Sequence, residues 1–308
     1  MKILCITSMY PTKDKPYYGI FVKEQIEFLK KNKEIEIKLC ILDNENSFKK
    51  YFSFNKILKS IKREKPDIIH IHYGLTGLPI LFLYPFIYKV KIVTTYHGDD
   101  INGKSIIKFI SILVSKISTI NIAVSQEIFK KIKKYQNNIV WIPCGVDDSF
   151  CIKDENYLRK NIIIFPSSPK RKEKNFFMFQ KVISILKDEY KLKPKIVVFE
   201  NKNREEIKKA LLVSKCLLLT SKSEGSPQVI KEAICCDTPI VSTAVGDVPF
   251  LVKNLKNCYI ANTPDEMAKR IITIFNATLE EYPKSIKNEI SNSYICDQIY
   301  HIYQSLIK

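Results

Sequence analysis

Glu224 and Glu232 stand in residues 217–250 with seven residues between them, and that interval begins Gly225-Ser226-Pro227. Glycine lets a backbone approach a ligand closely, serine serves as a helix N-cap, and proline suits a first helical turn because its missing N–H has no partner there anyway. Free amides at a helix start, together with the helix dipole, favour phosphate. Glu232 then lies about one and a half turns inside the helix. There it is out of reach of the phosphate but placed to accept hydrogen bonds from hydroxyls such as those of a ribose. The stretch reads as a site for a polar, anionic ligand; the plain alternative is a capped helix with an acidic surface residue.

Other loops supply what this one lacks. Residues 162–179, IIIFPSSPKRKEKNFFMF, place Arg171, Lys172 and Lys174 after a strand pattern, where cations neutralise a leaving diphosphate without a metal ion. In the first half, residues 8–21, 70–77 and 95–101 are polar loops after strand patterns and hold His70, His72 and His97. Gly19 precedes a helix expected near Phe21 and admits a phosphate or sugar to the backbone. His97, between a strand end and Gly98, is placed to touch a ligand. Of His70 and His72, alternating on one strand, one is expected to pack inside. Asp99 and Asp100 are adjacent and do not form a DxD pair for a metal-diphosphate.

Strands must position these loops, and the sequence provides them. Short apolar runs at residues 3–7, 35–42, 68–72, 92–96, 119–124 and 139–142 alternate with helical patterns. The rhythm resumes at 162–165, 195–199, 216–220, 238–241 and 258–260. This predicts an α/β fold of two doubly wound parallel sheets with ligands beyond the carboxyl ends of the strands. At 308 residues the chain has room for two cores of about 150 residues each. The polar connector after Trp141 puts the boundary near residue 150: a first domain over 1–150, a second over 151–293, and an amphipathic helix over 294–308 that packs back across the junction.

Six ordered motifs, YYGIF, DIIHIHYGLTG, TYHGDDI, INIAVSQEI, WIPCGVDDSF and SSPKRKEKNF, precede SEGSPQVIKEA and TPIVSTAVGDVPF. Together they resemble family 4 glycosyltransferases, retaining enzymes of GT-B fold, over nearly the whole chain. The resemblance implies a nucleotide-sugar donor, a glycan or lipid-linked acceptor, no cofactor, no metal, and an active site in the cleft between domains. By it Glu232 binds the ribose and Glu224 the donor sugar. Gly225 and Ser226 hold the diphosphate with Ser168, Arg171 and Lys174, and Gly19 lies beside it. His97 faces donor sugar and acceptor, with Tyr18, His72 and Tyr73 on the acceptor side; His97, Lys174 and Glu224 are the catalytic set. The chain departs from the pattern at Tyr18-Gly19, where many members have two glycines, and at Pro169, which breaks the usual Arg-x4-Lys spacing. A sugar-nucleotide epimerase or a non-catalytic sugar-nucleotide-binding subunit is the alternative on the same fold.

The net charge of +18 is shared between both halves, which excludes a basic tail. No groove-reading or RNA-binding motif appears, so nucleic acid is not an expected partner. Residues 48–65 interleave Phe48, Tyr51, Phe52, Phe54 and Ile57 with Lys49, Lys50, Lys56, Lys59 and Lys65, a basic amphipathic pattern suited to an anionic membrane. The apolar run at 75–88 carries Pro79 and Pro85 and is too short and broken to span a bilayer. Nine cysteines without a CxxC pair read as reduced thiols, and the protein as cytoplasmic, peripheral on the inner face of the membrane.

Overall fold

The computed structural model describes the chain apart from residues 13, 14, 16, 43–47, 153–156 and 308. It forms two compact units, Met1–Gly145 with Asn292–Lys308, and Val146–Ser291.

The first unit is built on strands β1 (Lys2–Thr7), β2 (Glu36–Ile41), β3 (Ile68–His72), β4 (Lys91–Tyr96), β5 (Ile120–Ala123) and β6 (Ile139–Trp141). They pair in the order β2-β1-β3-β4-β5-β6, all parallel. Around them run helices α1 (Ile20–Asn32), α2 (Phe54–Glu64), α3 (Leu78–Ile87), α4 (Asp99–Asn102), α5 (Ser105–Ile117) and α6 (Gln126–Lys133). Strand alternation sends Leu4 and Ile6 into one core with Ile57 of α2, Ile80 of α3 and Val114 of α5. Ile3 and Cys5 enter the other, with Val22 and Ile26 of α1. Burial on both faces is why the strands read as continuous apolar runs.

In the second unit β7 (Lys160–Phe165), β8 (Lys195–Val198), β9 (Ser214–Leu219), β10 (Ile240–Ser242) and β11 (Cys258–Ile260) pair in the order β11-β10-β9-β7-β8. Their helices are α7 (Phe176–Asp188), α8 (Arg204–Val213), α9 (Gln228–Cys235), α10 (Val248–Val252), α11 (Pro264–Asn276) and α12 (Lys284–Glu289). The last helix, α13 (Asn292–Ile307), belongs to the first unit, where Ile295, Cys296, Ile299 and Tyr303 are buried beside α1. In both sheets the second strand lies outside the first and the third on its other side, so strand order reverses between β1 and β3 and between β7 and β9. In open parallel sheets that reversal is where ligands sit.

Two expectations are corrected. Helix α9 begins at Gln228, with Pro227 as an uncapped N-cap at ψ 116°; Ser226 does not cap because its oxygen accepts from the buried Lys231 ammonium at 3.1 Å. Cys151 and Cys235, 84 residues apart, are joined as a disulfide, a pairing that the fold creates and the spacing does not announce. In residues 48–65, α2 turns Ile57 and Ile61 into the core, while Phe48 and Phe52 stay exposed. Among the described residues no helix is long and apolar enough to cross a membrane.

Candidate functional site

In the second unit the loop ends of β7 and β9 are tied together. Thr220 Oγ1 donates to the Lys174 carbonyl at 3.0 Å, and the Lys222 N–H to the Glu173 carbonyl at 2.8 Å. This sets Lys174 against Glu224: Nζ to Oε1 is 2.5 Å, with the two side chains only 10% and 12% exposed. Ser221 donates to the same carboxylate oxygen at 2.6 Å. Taking two ions out of water costs energy that their close approach and added hydrogen bonds such as that of Ser221 offset. Arg171 stands apart from the pair, exposed and bonded to Glu173 at 2.6 Å. Ser168 donates to Glu200 at 2.7 Å.

The carboxylate of Glu232 lies buried on α9 and pairs with Arg204 at the start of α8, 2.7 Å away. The Arg204 guanidinium also lies over the Phe150 ring at 4.5 Å. Gly246 closes the loop between the two glutamates: its φ is +53°, and a Cβ there would collide with the Gly225 carbonyl. The next residue, Asp247, donates its N–H to that carbonyl at 3.2 Å. Burial pushes the Asp247 carboxyl above its ordinary range, with Lys231 pulling the other way. Arg204, Lys231, Ser221 and Asp247 were missed by the sequence reading. Lys231 sits on an amphipathic helix and reads as surface, yet it is wholly buried.

In the first unit the loops follow β1, β3 and β4. Gly19 is the N-cap of α1 at φ 68°, and a side chain there would collide with the Met9 carbonyl. Tyr18 and Tyr73 are partly buried, and burial raises both phenols. His97 is half-exposed, and its ring packs 5.0 Å from Phe21. Its backbone N–H and those of Gly98 and Gly74 all donate to the buried carboxylate of Asp100, at 2.8–3.2 Å. Burial lifts Asp100 to about 6, against these three N–H donors.

His72, like His70, is wholly buried, so both pack inside where one was expected to, and His72 meets His97, Nδ1 to Nε2 at 3.3 Å. Burial lowers His72 to about 3, so it is neutral. Its Nε2 is buried without a hydrogen-bond partner. A bare lone pair there costs less than an orphaned N–H. The network therefore assigns the proton to Nδ1, donating to His97 Nε2. The Nδ1 of His97 then faces the Cys144 sulfur at 3.8 Å. Beneath, His70 engages Tyr303 through Nδ1 at 2.5 Å and Thr95 through Nε2 at 2.8 Å. Among the described residues Cys5, His70 and His72 bring metal-ligating atoms within 4.8 Å of one another, buried on strands of the first unit.

Known proteins resemble this chain in sequence and in fold. Residues 119–292 match the family described as glycosyl transferases group 1, and residues 23–150 match glycosyltransferase family 4. The putative teichuronic acid biosynthesis glycosyltransferase TuaC of Bacillus subtilis is 24% identical over 327 residues, 82% of this chain and 83% of that protein. Anabaena HepE, solved with UDP and glucose, superposes with a TM-score of 0.75 at 14% identity, over 99% of this chain and 100% of HepE. UDP-GlcNAc 2-epimerase from Methanocaldococcus jannaschii superposes with a TM-score of 0.65 at 14% identity, over 99% and 100% of the two chains.

Proposed function

The chain belongs to the glycosyl transferases group 1, and from that premise we propose that it moves a sugar from a nucleotide-sugar donor to a glycan or lipid-linked acceptor with retention of configuration. The setting proposed is cell-surface polysaccharide or glycolipid synthesis at the inner face of the membrane. The observation that carries this reading is the 2.5 Å pair of Lys174 and Glu224 at the β7/β9 reversal. Glu224 holds the donor sugar and Lys174 turns to the diphosphate, while Glu232, oriented by Arg204, accepts from the ribose.

The bond between the sugar C1 and the diphosphate oxygen breaks, and its electron pair leaves with the diphosphate. The acceptor oxygen bonds C1 from the same face and its proton passes to a phosphate oxygen. Charge builds on the leaving group, so a preorganised cation there lowers the barrier most. No metal is required by this scheme. His97 lies on the acceptor side, held by Asp100 and His72.

TuaC's name supports a polysaccharide setting, and HepE's bound UDP and glucose support the donor class. The epimerase superposition means that fold alone leaves the reaction open. UDP- and GDP-sugars screened by thermal shift identify the donor; NMR of the best one, incubated without acceptor, then reads the chemistry. Slow release of the free sugar with its anomeric configuration retained is the expected result. A sugar nucleotide epimerised at C2 would establish the second reading, and binding without turnover a non-catalytic subunit.

A further inference from the structure

The apolar surface of the first unit lies where the sequence did not mark it. Helix α3 is apolar all round: Leu78, Ile80, Leu83 and Ile87 fill the core, yet Phe82 and Phe86 on its other face are 63% and 82% exposed. A helix without a polar face is ordinarily buried on every side or set against lipid. The neighbouring α5 repeats the arrangement, burying Val114 while Ile106 and Phe109 are 60% and 61% exposed. Ring contacts carry the surface onward, from Phe82 to Phe54 at 5.4 Å and from Phe54 to Phe52 at 6.3 Å.

Charge around these rings has one sign. Residues 48–63, 78–87 and 105–117 contain no aspartate or glutamate, while Lys59, Lys62, Lys89 and Lys104 are exposed on or beside the same elements. A second copy of this chain would bring lysines against lysines, which opposes self-association. An anionic lipid surface accepts both features, rings into the headgroup boundary and ammonium groups onto phosphates, each cation adding about 1 kcal/mol near the surface. Helix α3, ten residues long, spans only about 15 Å, half of a ~30 Å hydrocarbon core. It therefore lies in the interface.

We infer that the exposed faces of α3 and α5, flanked by the α2 lysines, form a docking surface for an anionic bilayer. This deepens the lipid-linked acceptor reading and rests on that reading for its purpose. The surface continues into residues 48–65, where Ile57 and Ile61 face the core but Phe48 and Phe52 remain 44% and 54% exposed.

The test is co-sedimentation of the full chain with vesicles of phosphatidylcholine alone and of phosphatidylcholine with phosphatidylglycerol, at low and high salt. Wild type should bind the anionic vesicles in a salt-sensitive manner. The exposed double variant F82S/F86S, and separately Phe109→Ser, should weaken that binding at least about tenfold, with unchanged melting temperature. K59E/K62E should weaken it while restoring nothing at high salt. No binding by wild type, or binding unaffected by F82S/F86S, overturns the inference. So does sedimentation velocity showing a dimer that F82S/F86S dissolves, which would make the face a self-interface. Donor hydrolysis in vesicle-free solution reads the transferase proposal separately: its loss in wild type would strike that proposal and leave vesicle binding standing.

Discussion

A lysine that already holds a carboxylate must share its charge when a diphosphate arrives. In the proposed transfer that lysine is Lys174, nearly buried beside Glu224. Truncating it to alanine would strand Glu224 and confuse folding with catalysis. Lys174→Gln keeps a donor to Glu224 without the charge. It should lower the melt less than alanine does while lowering kcat about 100-fold or more in protein that is still folded by circular dichroism, the scale of losing one leaving-group contact; near-normal turnover would remove Lys174 from its role. Asp100 gives a pH signature of its own. Its folded-state value of about 6 lies above the ordinary 3.8. Its neutral form therefore stabilises the fold, fully below the ordinary value, and that stabilisation is lost as pH rises through about 6. From pH 5 to pH 8 wild type should lose roughly 1–1.5 kcal/mol relative to Asp100→Asn. A pH-independent difference in melting temperature between the two proteins would contradict this.

At the scale of elements, Gly246 packs against the backbone of Glu224 and Gly225. An alanine there meets both a left-handed backbone and the Gly225 carbonyl. Gly246→Ala should cost about 2–3 kcal/mol and weaken nucleotide binding along with it; a melt within a degree of wild type would show that the loop adjusts freely. The strands were legible in the sequence because burial on both faces leaves continuous apolar runs such as IIIF in β7, and the loops because glycine and proline punctuate them. Glu224, Lys174 and Glu232 were legible through the order of motifs. Arg204 was not, since it reaches Glu232 from 28 residues away across two elements. Lys231 was not either, because one lysine on a short amphipathic helix looks solvated until its neighbours are known. Exposure was not legible either: the run at 75–88 reads only as too short and broken to span a bilayer, yet in α3 it leaves Phe82 and Phe86 exposed.

The whole molecule has a discontinuous first unit, because α13 is encoded after the entire second unit and supplies buried Ile295, Cys296, Ile299 and Tyr303. Each such side chain contributes about 1.5–3 kcal/mol on burial, a sum comparable to a domain's net stability of ~5–15 kcal/mol. A chain ending at residue 145 should therefore lack a cooperative melt, and adding the 292–308 peptide in trans should restore one. Residues 146–291 alone should melt cooperatively, by circular dichroism. A cooperative melt for residues 1–145 would show that α13 is dispensable. The same discontinuity imposes a timetable on synthesis. At ~5–20 residues per second, roughly 7–30 s separate completion of β6 from the appearance of α13. During that interval α1 and its side of the sheet remain open at the ribosome while the later unit closes first. Any stop or frameshift within the second unit thus also denies the first unit its final helix, so truncated products present an uncovered apolar face to chaperones and proteases.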